Sequence, residues 1–222
     1  MLIYLAILIV PLLLGLYAQY KVKSSFSKMS KVPARMSGAE AARIMLDNGG
    51  LHNVGIEAVQ GHLSDHYDPR AKVLRLSPDV YNGRSMAALG VACHEAGHAF
   101  QDAKNYAPLV IRNAAVPMAN FGSSFGMLAI MAGLMIGLTT VAWVGVALFA
   151  GVAFFQLVNL PVEFDASNRA RYELVNQGLI RDNEEQYVAK VLNAAALTYV
   201  AATLQAVLTL LYYVWLLTGQ RD

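Results

Sequence analysis

A single cysteine, Cys93, stands among the 222 residues, so no disulfide can close within the chain. One thiol also says nothing about redox compartment. Charge is scarce as well: Asp, Glu, Lys and Arg make up 14% of the residues, against ~25% in ordinary soluble domains. The net charge is only +2, and no basic tract is interleaved with aromatics, which argues against nucleic acid as a partner. Internal repeats, low-complexity tracts and long flexible linkers are also missing. What fills the chain instead is apolar, with 56% hydrophobic residues and a mean hydropathy of +0.42. Because long uncharged runs alternate with charged segments, the pattern predicts a mostly α membrane protein with one modest polar domain.

Four apolar segments are expected to be transmembrane helices. Residues 1–20 carry no charge and suffice to cross ~30 Å of hydrocarbon. A cleaved signal peptide would place basic residues before its apolar run. Here the lysines follow it, which favours a permanent anchor. Residues 114–138 and 141–160 read as a helical hairpin joined around Gly137-Leu138-Thr139-Thr140. Residues 196–217 make the fourth span. Gly122/Gly126 and Gly133/Gly137 have the spacing that lets membrane helices approach closely.

Four spans put residues 21–113 and 161–195 on one side of the membrane. Those two segments hold 16 of the 17 Lys and Arg residues, and only Arg221 falls opposite. Lys21, Lys23, Lys28, Lys31 and Arg35 follow the first span directly, where the positive-inside rule weighs most. The expected localisation is therefore a multi-pass cell-membrane protein with both polar segments cytoplasmic and the lipid bilayer as a partner.

Within 21–113 the pattern predicts a small α+β domain. Ser37-Gly38-Ala39-Glu40 has capping-box spacing, and the helix it opens should end at Asn48-Gly49-Gly50. Val54 to Gln60 and Ala71 to Leu76 read as strands, with the intervening "GHLSDHYDP" as a hairpin loop. The second strand is expected to offer an edge to an extended substrate. A helix from about Ser85 to Lys104 carries "VACHEAGHAF". His94 and His98 are i and i+4 on it, so both imidazoles leave the same face one turn apart. That separation suits two corners of a zinc tetrahedron. Glu95 is one position round from His94, and its carboxylate can act as general base on a zinc-activated water. Five His and seven Glu in the chain would produce such an HExxH match by chance about 0.003 times. Gly97 leaves room for another element or a substrate beside the metal. Cys93 reads as a helix-packing residue.

A third ligand is still required. The metzincin pattern would place a histidine six residues after His98, and that residue is Lys104. Asp102 lies one turn further along the same helix, too far for a metal already held by His94 and His98. Catalytic sites of the His₂Glu type draw the third ligand from a separate segment. After the helical hairpin the chain returns to the same side at "LPVEFDASNRARYELVNQGL", which offers Glu163 and Asp165, Glu163 standing near an expected helix N-terminus. Glu163 is the longer side chain and shares a helix face with Ser167.

The chain resembles the bacterial neutral zinc metallopeptidases called the YugP-like family, membrane proteins related more distantly to HtpX-type and CAAX-prenyl membrane metalloproteases. The stretches that carry the resemblance are Asp65-His66-Tyr67-Asp68-Pro69, Arg75-Leu76-Ser77, Ala92 to Gln101 and Pro161 to Ser167. With the four spans it covers essentially the whole chain. It implies a gluzincin-like zinc protease domain binding one Zn2+, with His94, His98 and Glu163 as ligands and Glu95 as base. HtpX-type relatives have an aspartate four residues after the third ligand to support a ligand histidine. Here that position is Ser167, and Ser167 and Asp165 are the alternatives for the role. His66 and Tyr67, in the family-like loop, are the candidates for a second electrophile at the oxyanion, against a reading of the loop as a hydrogen-bonded turn. His62 and His66 are also four apart, but Gly61 and Pro69 argue against a helix between them.

The function this predicts is a membrane-embedded zinc endopeptidase acting on membrane or unfolded proteins, with protein or peptide substrates. The alternative is a zinc-holding membrane scaffold or adaptor with little turnover. Metal transport fits less well, since none of the four expected spans contains an Asp, Glu, Lys, Arg or His to mark a path. Membrane partner proteins and a homo-oligomer are both left open by the sequence.

Overall fold

The computed structural model describes residues 2–61 and 64–219. It is mostly helical with one small sheet. In chain order the elements are α1 (Leu2–Met29), α2 (Gly38–Asn48), β1 (Gly55–Ala58), β2 (His66–Asp68), β3 (Val73–Leu76), α3 (Pro78–Tyr81) and α4 (Met86–Ala103). Then follow α5 (Ala107–Phe121), a π-helical turn (Gly122–Gly126), α6 (Met127–Met135), α7 (Thr139–Asn176), a 3₁₀ turn (Asp182–Glu184) and α8 (Glu185–Thr218). They divide into two compact units, one of Met1–Tyr17, Ala107–Pro161 and Thr198–Asp222, the other of Ala18–Tyr106 and Val162–Leu197.

The polar unit begins as its local chemistry dictates. Ser37 caps α2 by accepting from the Glu40 backbone N–H at 3.2 Å, while the Glu40 carboxylate accepts from the Ser37 N–H at 2.6 Å. Gly49 ends the helix and Gly50 takes φ +76°, a left-handed turn that a side chain would strain. Ser85 caps α4 in the same manner, accepting from the Ala88 N–H. Met45, Leu46, Leu74, Leu76, Val80, Leu89, Leu174 and Val188 form the buried centre, which α4 crosses with nearly every side chain covered.

The sheet departs from the expected hairpin. Residues 66–68, expected in a loop, form β2 and pair antiparallel with β3, while β1 pairs parallel with β3, for an order β1-β3-β2. The cause lies in the tight turn between β2 and β3. Asp68 accepts from the backbone N–H groups of Arg70 and Ala71 and binds Arg75 at 2.6 Å. Lys72 completes the turn with φ 54°. With that edge of β3 taken by its own neighbour, β1 pairs at the opposite edge, where it runs parallel. Central β3 therefore has no edge left for a substrate strand.

Among the described residues three helical stretches are long and apolar enough to cross a membrane: Ala107–Met135, Thr139–Asn176 and Asp182–Thr218. Four were expected. The first expected span, 1–20, lies in α1 and is not among the three; the side chains of residues 1–6 and 8 fall outside the described set, as does Arg221. Within the apolar unit Gly122 approaches Leu148, Gly126 approaches Phe149 and Gly133 approaches Ala142, each closely enough that a Cβ would press on backbone atoms. Gly137 instead forms the hairpin turn at φ +71°. Pro161 does not open a new helix. It sits inside the 38-residue α7, where the one hydrogen bond a proline removes is outweighed by continuous helix on both sides. Glu163 is thus a mid-helix residue, not a helix N-terminus.

Candidate metal centre

Helix α4 presents His94 and His98 one turn apart, with ring centroids 4.7 Å apart and planes at 83°. Helix α7 brings Glu163 against them. Its Oε2 lies 3.3 Å from Nε2 of His94 and 3.7 Å from Nε2 of His98. One ligand atom from each of the three residues falls within 4.8 Å of the other two. The approach is possible because of Gly97. A Cβ there would stand 2.7 Å from the carbonyl oxygen of Ala166 on α7, so only glycine lets the two helix backbones meet at this depth.

The site is buried, with His98 9% and Glu163 7% exposed. Burying a carboxylate is costly unless a counter-charge or donors receive it, yet Oε2 of Glu163 has no hydrogen-bond partner. The approach of His98 does not satisfy it, because that ring gives its N–H to a partner elsewhere. His98 Nδ1–H donates to Oε1 of Gln101 at 2.9 Å, and His94 Nδ1 lies 3.1 Å from Oγ of Ser167. The His98 lone pair, the His94 ring and a carboxylate oxygen therefore converge on one covered point, an arrangement that a cation would complete. Two nitrogens and one oxygen are the donor set of His₂Glu zinc sites, so the residues present fit zinc.

Glu95 follows His94 and is 8% exposed. Among the described residues no hydrogen bond or ion pair engages its carboxylate, which leaves it free for a small molecule beside the cluster. Burial disfavours a charged His98 ring, but Glu163 and Glu95 outweigh that effect and raise its affinity for a proton. The site's negative charge is thus felt at the histidine.

Asp165, the rival third ligand, is committed elsewhere. Its Oδ2 accepts from Nε2 of Gln101 at 2.9 Å and from Nε of Arg169 at 2.6 Å. The two alternatives for histidine support thus divide: Ser167 lies against His94, and Asp165 reaches His98 only through Gln101. Sequence reasoning passed over Gln101. Its signal was available, since a residue three past His98 shares that histidine's helix face.

The structure places His66 and Tyr67 on β2 and does not bring them into the cluster. The Tyr67 hydroxyl donates to Asp102 at 2.7 Å, and Lys72 Nζ reaches the same oxygen at 2.5 Å. His66 is exposed and its Nδ1–H donates to the Ser64 carbonyl at 2.8 Å. Asp65 accepts from the Ser77 backbone N–H and hydroxyl. Three of the four polar side chains in Asp65-His66-Tyr67-Asp68 thus fasten β2 to its surroundings. His62, weighed as a partner for His66, lies outside the described residues. Burial pushes the Cys93 thiol well above its ordinary range, so this residue is no nucleophile.

Comparison with known proteins agrees with zinc as the metal. Residues 4–218 match a family described as "Putative neutral zinc metallopeptidase". The chain is 47% identical over 222 residues to "Putative membrane protease YugP" of Bacillus subtilis (strain 168), covering 99% of each protein. No solved structure matches the chain.

Proposed function

The chain belongs to the neutral zinc metallopeptidase family, and we propose that it is a multi-pass membrane endopeptidase of the HExxH gluzincin type, hydrolysing peptide bonds of membrane or unfolded proteins at the cytoplasmic membrane surface. The observation that carries this reading is the convergence of His94, His98 and Glu163 on one buried point beside a free Glu95 carboxylate. His94, His98 and Glu163 are the ligands. Zinc bound there would act as a Lewis acid on the scissile carbonyl and lower the pKa of water towards ~7. Glu95 takes the proton of the attacking water and delivers it to the departing amine. Burial of the cluster excludes bulk solvent and strengthens each of these interactions.

A second electrophile at the oxyanion has less support from His66 and Tyr67. The hydroxyl of Tyr67 is already given to Asp102, and His66 with its proton on Nδ1 presents an acceptor at Nε2 unless it is charged. The cytoplasmic placement rests on the distribution of Lys and Arg, 16 of 17 on one side, and the span at residues 1–20 on its length and lack of charge.

The test is zinc content and proteolysis together. Wild-type protein and Glu95→Gln should each hold one zinc, Glu163→Ala should lose it, and Asp165→Ala should weaken it less. Wild-type protein should cleave casein, and chelation or Glu95→Gln should abolish cleavage. Proteolysis that survives Glu95→Gln overturns the mechanism. Stoichiometric zinc without any cleavage by the wild type would replace it with the scaffold reading.

A further inference from the structure

We propose that Gln101 is a positioning residue that locks His98 in its metal-binding tautomer, and that Asp165 and Arg169 orient Gln101 for this task. The inference rests on the zinc reading above and deepens it.

A glutamine amide has a donor end and an acceptor end, and its surroundings decide which faces where. Gln101 is fully buried. Its Nε2 lies 2.7 Å from the carbonyl oxygen of Val162 and 2.9 Å from Oδ2 of Asp165. Both are acceptors only. Turning the amide over would set its buried oxygen against a carbonyl and a carboxylate, two repulsions in place of two hydrogen bonds. Oε1 is therefore held 2.9 Å from Nδ1 of His98. A carbonyl oxygen can only accept, so the proton of the neutral imidazole resides on Nδ1. The lone pair is left on Nε2, the atom that faces Glu163 at 3.7 Å.

Asp165 is itself held. Arg169, one turn further along α7, donates through Nε at 2.6 Å, and its guanidinium stands over the Tyr106 ring, 5.9 Å from the centroid. The chain of contacts thus runs from Arg169 through Asp165 and Gln101 to one ligand. It also ties α4 to the two residues of α7 that flank Glu163. The second histidine is treated differently. Its partner is the Ser167 hydroxyl, which can donate or accept and so imposes no tautomer. Only the His98 corner is locked before metal arrives.

The experiment uses the full chain in detergent micelles, stripped of metal, with 15N-labelled histidine. The imidazole 15N shifts of His98, assigned by their loss in His98→Ala, report the tautomer. Competition with a chromophoric chelator reports zinc affinity. His98 in the metal-free wild type should be the Nδ1–H form. Gln101→Leu, of similar volume but without polar atoms, should lose that preference and weaken zinc binding by about 10- to 100-fold, the usual cost of losing a ligand's supporting partner. Gln101→Glu should weaken it as well, because it sets a carboxylate against Asp165. Adding Asp165→Asn to Gln101→Glu restores a donor–acceptor pair at unchanged net charge, and should recover the tautomer and most of the affinity. A purely structural role would show no such rescue. An Nε2–H tautomer in the wild type, or wild-type zinc affinity in Gln101→Leu, overturns the proposal. A wild type that binds no zinc would sink the metal reading instead, while the tautomer shift would still decide this one.

Discussion

Gly97→Ala tests whether the metal centre depends on how closely two helix backbones approach. The added Cβ would lie 2.7 Å from the Ala166 carbonyl oxygen, 3.1 Å from its Cα and 3.2 Å from its carbonyl carbon. Ordinary contact begins at 3.4 Å, so α4 and α7 must separate by about 0.7 Å or the site must deform. The obstacle is backbone, which cannot rotate aside as a side chain can. Overpacking of this kind costs roughly 1–3 kcal/mol, while replacing glycine by alanine within a helix returns up to ~1 kcal/mol. The metal-free protein can relax by letting the helices part, so its melting temperature should fall only slightly. Bound zinc cannot follow, because its ligand distances tolerate only ~0.2 Å. If most of the strain appears in the loaded state, zinc affinity should weaken by about 10- to 100-fold, at 1.4 kcal/mol per tenfold. Chelator competition measures the affinity and thermal melts of stripped protein measure the stability. Gly90→Ala is the control on the same helix: its Cβ would meet a Val188 methyl at 3.1 Å and no backbone atom closer than 3.8 Å. It should leave zinc affinity unchanged. Wild-type affinity in Gly97→Ala would refute the claim that this approach sets the ligand geometry.

Three further outcomes follow from the same contacts. Glu163→Asp retains the charge but retracts the carboxylate by one methylene, and should lower zinc occupancy in a metal assay while leaving the far-ultraviolet spectrum of a helical protein intact. Tyr67→Phe removes the hydroxyl bonded to Asp102, which should reduce stability by about 1 kcal/mol and leave casein turnover within a few-fold of wild type; a hundredfold loss of turnover at unchanged melting temperature would instead make Tyr67 an oxyanion donor. Burial, and then the Asp102 charge, raise the Tyr67 pKa above its ordinary value. Its contribution to stability is therefore intact below the unfolded value of ~10 and lost as pH rises beyond it, so alkaline unfolding should be steeper in the wild type than in Tyr67→Phe.

What the sequence made legible divides along physical lines. The cap at Ser37, the stop at Gly49 and the face shared by His94 and His98 depend on residues three or four apart, and local periodicity reads them directly. The strand order did not yield to the same reasoning, because the choice between a hairpin and a parallel pair was decided by Asp68 turning the chain onto Arg70, Ala71 and Arg75. That turn occupies a stretch whose composition says only that it is polar. The count of spans differs at residues 1–20 alone, while the helix boundary missed at Pro161 has another cause: hydropathy locates apolar runs but not where a helix ends, and α7 passes through Pro161 without a break.

The third ligand shows how far one additional fact would have carried the reading. Residues two apart on an α-helix point about 200° away from each other, so Glu163 and Asp165 could not both face the histidines. The choice between them required the phase of α7, and that phase is written in its buried residues. Val162, Ala166, Ala170 and Leu174, at intervals of four, are all fully covered. Glu163 and Ser167 lie one position along from the first two of that stripe and are also buried, so the same face that packs the helix delivers the carboxylate and the hydroxyl to α4. Asp165 lies on its flank, beside Val162, where it meets Gln101 and Arg169 instead of the metal position. Packing and chemistry in this segment are therefore one constraint. A substitution that slid or rotated α7 to improve its core would move the ligand with it, and small residues such as Gly97 and Ala166 at the crossing are what hold the two helices in the single register that serves both.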